Sequence, residues 1–150
     1  RLYFDMDGTV ADLYGSDNWH YKLRNEIPGA FRNLKPLHDM KELERICLAL
    51  IEQGWELGII TWLPMDASHE YNQICTAEKI EWANEHMPYI TEILAQVYGT
   101  PKHTASKRAK IQILVDDNDE VRETWTTPVQ RKAIDAKVNM LEELEKLLNK

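Results

Sequence analysis

Five side chains of types that support phosphate chemistry stand at the ends of short apolar runs. Asp5 and Asp7 follow the first run, Thr61 ends a second, and Asp116 and Asp117 follow a third. In an open α/β sheet, residues that follow the strands gather at the carboxyl edge, where ligands bind. We therefore expect four carboxylates and one hydroxyl to lie close together.

Such a group of acids requires a positive partner, because like charges at short range disfavour ionisation. Mg²⁺ is suited to this site, since it takes oxygen ligands in octahedral geometry and retains several waters. We expect Asp5 and Asp116 each to provide a carboxylate oxygen and Asp7 to provide its backbone carbonyl. Asp117 is a further candidate metal ligand, or else a residue behind the ligands or the cap of the next helix. The sequence thus predicts Mg²⁺ as a cofactor, with a substrate phosphate oxygen beside it.

The spacing of the first acid pair suggests a role for each member. Asp5 and Asp7 are two residues apart, so an extended backbone directs both side chains the same way. Asp5 is the candidate nucleophile that forms an aspartyl-phosphate, while Asp7 protonates the leaving oxygen and then activates water. Gly8 allows a tight turn beside the phosphate. Thr61 offers a hydroxyl and an N–H to the phosphate, and a lysine should complete the cage.

The elements that position these residues alternate between strand and helix. Strand-sized apolar runs occur near 2–4, 55–61, 93–97, 111–115 and 132–134, and helical patterns near 39–53, 67–86, 120–125 and 138–148. This order predicts one α/β domain over residues 1–150, with a mostly parallel sheet and helices on both faces in three layers. Residues 13–38 are irregular, and we expect them to form a small cap insertion over one edge of the site. The aromatic side chains Tyr14, Trp19 and Tyr21 in it are expected to fill a local core.

Composition excludes several classes of protein. The chain has 150 residues, 43% hydrophobic and 29% charged, with a formal charge of −7. No apolar stretch approaches the ~18 residues of a membrane helix, and no secretory leader is recognisable. The acidic balance disfavours nonspecific binding to nucleic acid or to anionic membranes. Cys47 and Cys75 are expected to be buried thiols in a reducing cytoplasm. The chain starts directly in a strand, so a short segment is expected to precede Arg1.

The ordered motifs resemble the haloacid dehalogenase (HAD) superfamily from residue 2 to about residue 125. They are Asp5-Met6-Asp7-Gly8-Thr9, then Thr61 after an apolar strand, then Ile113-Leu114-Val115-Asp116-Asp117. The resemblance implies a HAD-like, Rossmann-like fold and a magnesium-dependent phosphatase.

A finer resemblance is to the 5'(3')-deoxyribonucleotidase family. Residues 4–12 are similar to the opening motif of that family, and residues 78–82, Glu-Lys-Ile-Glu-Trp, are similar to the segment that holds its phosphate-site lysine. The resemblance implies a 5'-nucleotidase-like hydrolase that acts on nucleoside monophosphates, including deoxy forms. By the same likeness, Lys79 holds the phosphate.

Two departures from that family affect the substrate more than the chemistry. The spacing between Asp5 and Thr61 is too short for a full helical cap. Thr61 is followed by Trp62 where the family has a small polar residue; we still count Trp62 with Gly8, Thr61 and Lys79 among the phosphate-binding positions. Two further lysines, Lys102 and Lys107, precede the second acid pair and compete with Lys79 for the phosphate.

Other functions stay open at this point. A reduced cap would let a larger substrate enter, such as a phosphoprotein or a nucleic-acid end. A receiver-like module also holds Mg²⁺ among strand-end acids and becomes phosphorylated on an aspartate. Such a module would sense phosphate rather than hydrolyse a phosphate ester repeatedly. A degenerate HAD scaffold with a binding role is a further alternative.

Overall fold

The computed structural model describes residues 1–126 and 131–148 and contains a five-stranded sheet in which all strands are parallel. The strand order is β3-β2-β1-β4-β5, with β1 Leu2–Phe4, β2 Leu57–Trp62, β3 Glu92–Gln96, β4 Gln112–Asp116 and β5 Arg131–Asp135. The predicted α/β class is confirmed, and the sheet is entirely rather than mostly parallel.

Helices cover both faces of this sheet and give three layers. They are α1 Trp19–Arg24, α2 Met40–Glu52, α3 His69–His86, α4 Asp119–Thr126 and α5 Met140–Leu148, with one turn of 3₁₀ helix at Lys102–Thr104. Because successive strand side chains point to opposite faces, Leu2 and Phe4 enter a large core that includes α2, α3 and α5. Tyr3 enters a smaller core with Trp125 of α4. This is a Rossmann-like arrangement.

Several local expectations are confirmed. The side chain of Asp39 caps α2 by accepting hydrogen bonds of 3.1 and 3.2 Å from backbone N–H groups of the first turn. Gly54 follows that helix with a φ of +96°, a conformation that favours glycine. Cys47 and Cys75 are buried free thiols. Among the helices of residues 1–126 and 131–148, none has the length and apolar character to cross a membrane.

Residues 13–38, here called the insertion, leave and rejoin the fold at one place. The N–H of Asp12 donates to the carbonyl of Lys35 at 2.8 Å, and the N–H of Leu37 donates to the carbonyl of Val10 at 2.9 Å. The insertion contains α1, where the sequence predicted irregular structure. That helix has no buried residue, and Asn18 before it has a φ of +57° and makes no side-chain cap. Its two apolar residues that pack against the core, Trp19 and Leu23, span a single turn, which is too short to define a helical period, and the capping pattern is absent.

Helix α3 holds the insertion in place. Three of its buried side chains make hydrogen bonds of 2.8–3.1 Å to the backbone of the insertion: Glu78 to the N–H groups of Gly29 and Phe31, Tyr71 to the carbonyl of Ile27, and Trp82 to the carbonyl of Leu34. The insertion is thus fixed to the body of the fold through side chains rather than through an apolar contact alone.

We predict that Glu78→Ala destabilises the chain by about 1–3 kcal/mol, because it leaves two largely enclosed N–H groups without their acceptor. Glu78 is only 2% exposed. Urea unfolding followed by circular dichroism measures the change. The matched control is Glu81→Ala on the same helix, since Glu81 is 65% exposed and its contact with Arg32 is 3.6 Å long. Equal losses in the two variants would show that Glu78 does not anchor the insertion.

Candidate active site

The parallel register brings the predicted acids to one edge of the sheet. Phe4 pairs with Ile59 of β2 and Val115 of β4, so the three strands end side by side. Asp5 and Asp116 therefore follow neighbouring strands, and both are buried. Carboxylate oxygens of Asp5, Asp116 and Asp117 all lie within 4.8 Å of one another.

Lys102 lies between two of these acids. Its Nζ is 2.6 Å from Oδ1 of Asp5 and 2.7 Å from Oδ2 of Asp116. Its ammonium also lies 5.5 Å from the ring centroid of Trp62, whose indole N–H donates to the carbonyl of Thr100 at 2.8 Å. Trp62 thus contacts the lysine and also ties down the loop that leads to it.

Lys79 contacts Asp7, the second of the two acids that follow β1. Its Nζ is 2.7 Å from Oδ2 of Asp7, 2.7 Å from Oγ1 of Thr61 and 2.8 Å from the carbonyl of Trp62. The side chain is fully buried, and the ring centroid of Phe31 lies 4.5 Å from the ammonium. Lys79 thus contacts the predicted acid–base residue.

The three candidate lysines have different partners in the structure. Lys79 and Lys102 both reach the site, but they contact different carboxylates. Lys107 is instead 59% exposed and pairs with Glu92. The role of Lys79 as a phosphate ligand stays a prediction.

Two residues of the turn after β1 pack against the acids. Oγ1 of Thr9 lies 3.1 Å from Oδ2 of Asp5 and 3.2 Å from Oδ1 of Asp117, and it accepts a hydrogen bond from the N–H of Asp117. Gly8 has a φ of +79°, and a Cβ there would lie 2.4 Å from Oδ2 of Asp117. A side chain at Gly8 would therefore displace Asp117. Thr9 was not assigned a site role from the sequence, although its place in the motif beside Gly8 offered a clue.

Asp117 belongs to the acid cluster and does not cap α4. The residue that caps this helix is Asn118, whose Oδ1 accepts a hydrogen bond from the N–H of Val121 at 3.1 Å. The capping interpretation of Asp117 is therefore wrong.

Burial and mutual repulsion perturb the carboxylates. Burial, reinforced by the charge of Asp5, raises the pKa of Asp116 to about 6 and that of Asp117 to about 7. Burial also raises the pKa of Asp7, although the ammonium of Lys79 opposes the shift. Without a further cation, the edge of the sheet therefore holds protons at pH values where aspartates are ordinarily ionised.

The donor set fits a hard divalent cation. Asp5, Asp116 and Asp117 offer only oxygen atoms, which Mg²⁺ prefers. The four carboxylates at this edge exceed the two ammonium groups by two negative charges when all are ionised. The carboxylate of Asp7 is directed to Lys79 instead, and the predicted contribution of its backbone carbonyl stays a prediction.

A cavity of about 400 Å³ opens on these residues. Its walls include Asp5, Asp7, Lys102 and Asp116, together with five aromatic side chains: Tyr14, Trp19, Phe31, Trp62 and Tyr98. The expectation that Tyr14 and Tyr21 fill a local core is wrong, because they are 55% and 61% exposed, and Tyr14 lines the cavity. Tyr98 was not singled out from the sequence, although it follows β3 at the same edge as the acids.

The aromatic walls are formed by paired rings. Tyr14 and Trp19 of the insertion meet edge to face with their centroids 5.1 Å apart. Trp62 and Tyr98 lie 5.0 Å apart on residues that end or follow β2 and β3. The cavity thus combines charged groups with flat apolar surfaces, which is typical of sites for small ligands.

Comparison with known proteins gives no match among family models, curated proteins or solved structures. The geometry of the site and the motif resemblance are therefore the grounds on which a function can be proposed.

We predict that the stability of the chelator-treated protein falls as pH rises from about 4 to about 7. A carboxyl whose pKa is higher in the folded chain than in the unfolded chain binds its proton more tightly when folded, so ionisation opposes folding. Asp117→Asn removes one of these groups and should reduce the fall in melting temperature between about pH 5 and pH 7.5 by at least about 2 °C. Differential scanning calorimetry measures the change.

The control is Asp17→Asn, which alters an exposed aspartate by the same chemistry. It should keep the pH dependence of the unaltered chain. If the melting temperature of Asp117→Asn depends on pH in the same way as that of the control, the pKa of Asp117 is not raised by its surroundings.

Proposed function

We propose that this chain is a magnesium-dependent phosphomonoester hydrolase that forms an aspartyl-phosphate at Asp5. The observation that carries the proposal is the arrangement at the end of β1. Asp5 and Asp7 line one cavity, and each is paired with its own buried lysine. This arrangement supports two separate tasks, nucleophilic attack and proton transfer, for two carboxylates of one motif.

The proposed reaction has two steps. In the first, a carboxylate oxygen of Asp5 attacks phosphorus, the bond from phosphorus to the ester oxygen breaks, and Asp7 gives that oxygen its proton. In the second, Asp7 takes a proton from water, the water oxygen attacks phosphorus, and the acyl-phosphate bond breaks. Inorganic phosphate leaves, and both aspartates return to their starting states.

The remaining residues hold charge and position. In the proposed reaction Lys102 and Thr61 donate to phosphoryl oxygens, whose negative charge is spread over three atoms. Asp5, Asp116 and Asp117 would hold Mg²⁺. When bound, Mg²⁺ neutralises the carboxylates and the phosphate, which otherwise repel each other. The hydroxyl of Thr9 contacts the carboxylates of Asp5 and Asp117 and so helps to orient both.

The cavity favours a small substrate with a flat ring. Its volume of about 400 Å³ lies within the range of small-molecule sites, and its aromatic walls suit stacking against a nucleobase. We therefore propose nucleoside monophosphates, including deoxy forms, as the first substrates to examine. The same cavity gives no comparable support for a phosphoprotein or a nucleic-acid end.

A phosphate-release screen tests the function directly. We expect Mg²⁺-dependent release from nucleoside monophosphates and weaker release from sugar phosphates, phosphopeptides and 5'-phosphorylated oligonucleotides. The matched control is the same screen in the presence of a chelator. The phosphate-sensing alternative would instead be favoured by two results together: no phosphate release from any of these compounds, and a phosphorylated form of this chain that persists for minutes after treatment with acetyl phosphate.

Asp5→Asn should lower turnover by at least about 10³-fold, because the amide is not a nucleophile. We expect the variant to remain folded, since Lys102 keeps its contact with Asp116 and one of the crowded charges is removed. Phosphate release and the melting temperature are both measured, with Asp17→Asn as the control. A folded Asp5→Asn variant with appreciable activity would contradict the assignment of the nucleophile.

A further inference from the structure

The ammonium of Lys79 has no hydrogen left for a substrate. A lysine ammonium carries three N–H donors, and three oxygens lie within 2.8 Å of Nζ, those of Asp7, Thr61 and Trp62. Lys102 differs, because its close contacts are with two carboxylates. One N–H of Lys102 is therefore available to a phosphoryl oxygen, while those of Lys79 are already committed.

These contacts orient the groups that receive them. Oγ1 of Thr61 accepts a hydrogen bond from Lys79, so its own proton must point elsewhere and is free to be donated. Oδ2 of Asp7 is held by Lys79, while Oδ1 has no hydrogen-bond partner among residues 1–126 and 131–148. Oδ1 is itself enclosed by the protein, but it is the oxygen of Asp7 that no donor holds, so we assign to it the proton that Asp7 exchanges with a substrate in the adjoining cavity.

The lysine is itself held rigidly. It is enclosed in the fold, and the ring of Phe31 lies 4.5 Å from its ammonium. The N–H of Phe31 donates to Glu78, the residue before Lys79 on α3. Helix and insertion thus close around the ammonium together, and this leaves it little freedom to turn towards a ligand.

We propose that Lys79 is a positioning residue, which fixes the acid–base carboxylate of Asp7 and the hydroxyl of Thr61 and does not itself bind the phosphate. This inference rests on the proposed hydrolase function. It assigns the phosphate contact to Lys102 and gives Lys79 an effect on the departure of the leaving group. That effect separates it from a phosphate ligand or a purely structural residue.

The experiment compares two substrates of similar size in Lys79→Met. p-Nitrophenyl phosphate releases a stable phenolate that needs little protonation, whereas benzyl phosphate releases an alkoxide that requires a general acid. We expect kcat/KM to fall for both, because Thr61 also loses its partner, but to fall about 10²-fold further for benzyl phosphate. Circular dichroism checks the fold. Lys107→Met, which alters a surface lysine, is the matched control and should leave both values unchanged.

A double variant tests whether Lys79 acts through Asp7. In an Asp7→Asn background the general acid is already missing, so adding Lys79→Met should not change the ratio of the two kcat/KM values further. A ratio that shifts as much in this background as in the parent chain would overturn the proposal. So would equal losses for both substrates in the single variant.

A measurement on the unaltered chain covers the case in which Lys79→Met does not fold. Inorganic phosphate is added to protein labelled with ¹³C at lysine, and the Cε resonances are followed by NMR. We expect the resonance of Lys102 to shift more than that of Lys79, and the reverse order would overturn the proposal. If the unaltered chain hydrolyses neither ester and no lysine resonance responds, the proposed function fails. If the esters are hydrolysed but the Lys79 resonance shifts more than that of Lys102, the proposed role of Lys79 is rejected and the proposed function is not.

Discussion

Two buried ammonium groups among four aspartates are the interaction on which the rest of the structure depends. An unpaired charge in a protein interior costs several kcal/mol, so Lys79 and Lys102 can be buried only where carboxylates meet them. The carboxylates in turn would repel one another without these lysines. The position of each lysine is therefore tightly constrained by the acids at the ends of β1 and β4.

This constraint extends into the surrounding elements. Lys79 lies on the buried face of α3, so that face must pack directly against the edge of the sheet beside Thr61. The same face includes Glu78, which orders the insertion through its backbone. On the other side, Trp62 holds the loop before Lys102 through the carbonyl of Thr100. The helix and the loop are thus positioned by the lysines that neutralise the charge cluster, and the insertion is held by other side chains of the same helix.

The sequence was most informative where backbone geometry alone determines position. Asp5, Thr61 and Asp116 follow apolar strands, and parallel strands end at a common edge, so their convergence could be predicted without knowledge of any side chain. The lysines could not be separated in this way. A lysine reaches its target through a long flexible side chain, and its partner depends on how a helix or loop packs rather than on spacing. For this reason both Lys79 and Lys102 were candidates for one role, whereas the structure gives them different partners.

The insertion shows the limit of prediction most clearly. Its short helix α1 has no fully buried residue and no side-chain cap, so nothing in the sequence marked it. The orientation of Tyr14 was missed for a related reason, because an aromatic residue in an irregular segment gives no indication of which side it faces. Asp117 was ambiguous because an aspartate shortly before a helix can also serve as its cap, and only the hydrogen bond from the N–H of Val121 to Asn118 shows that Asp117 is not the cap.

With one exception, the aromatic walls of the cavity are separate from its carboxylates. The aspartates follow β1 and β4, whereas Tyr14, Trp19 and Tyr98 come from the insertion and from the loop after β3. Under the proposed function, changes in those three residues would alter what binds without altering the reaction, as when one fold serves different substrates. Phe31 is the exception, because it lines the cavity and also covers the ammonium of Lys79. A ligand that displaced Phe31 would loosen Lys79 and, through it, Asp7, so the proposed function would link ligand binding to proton transfer at this residue.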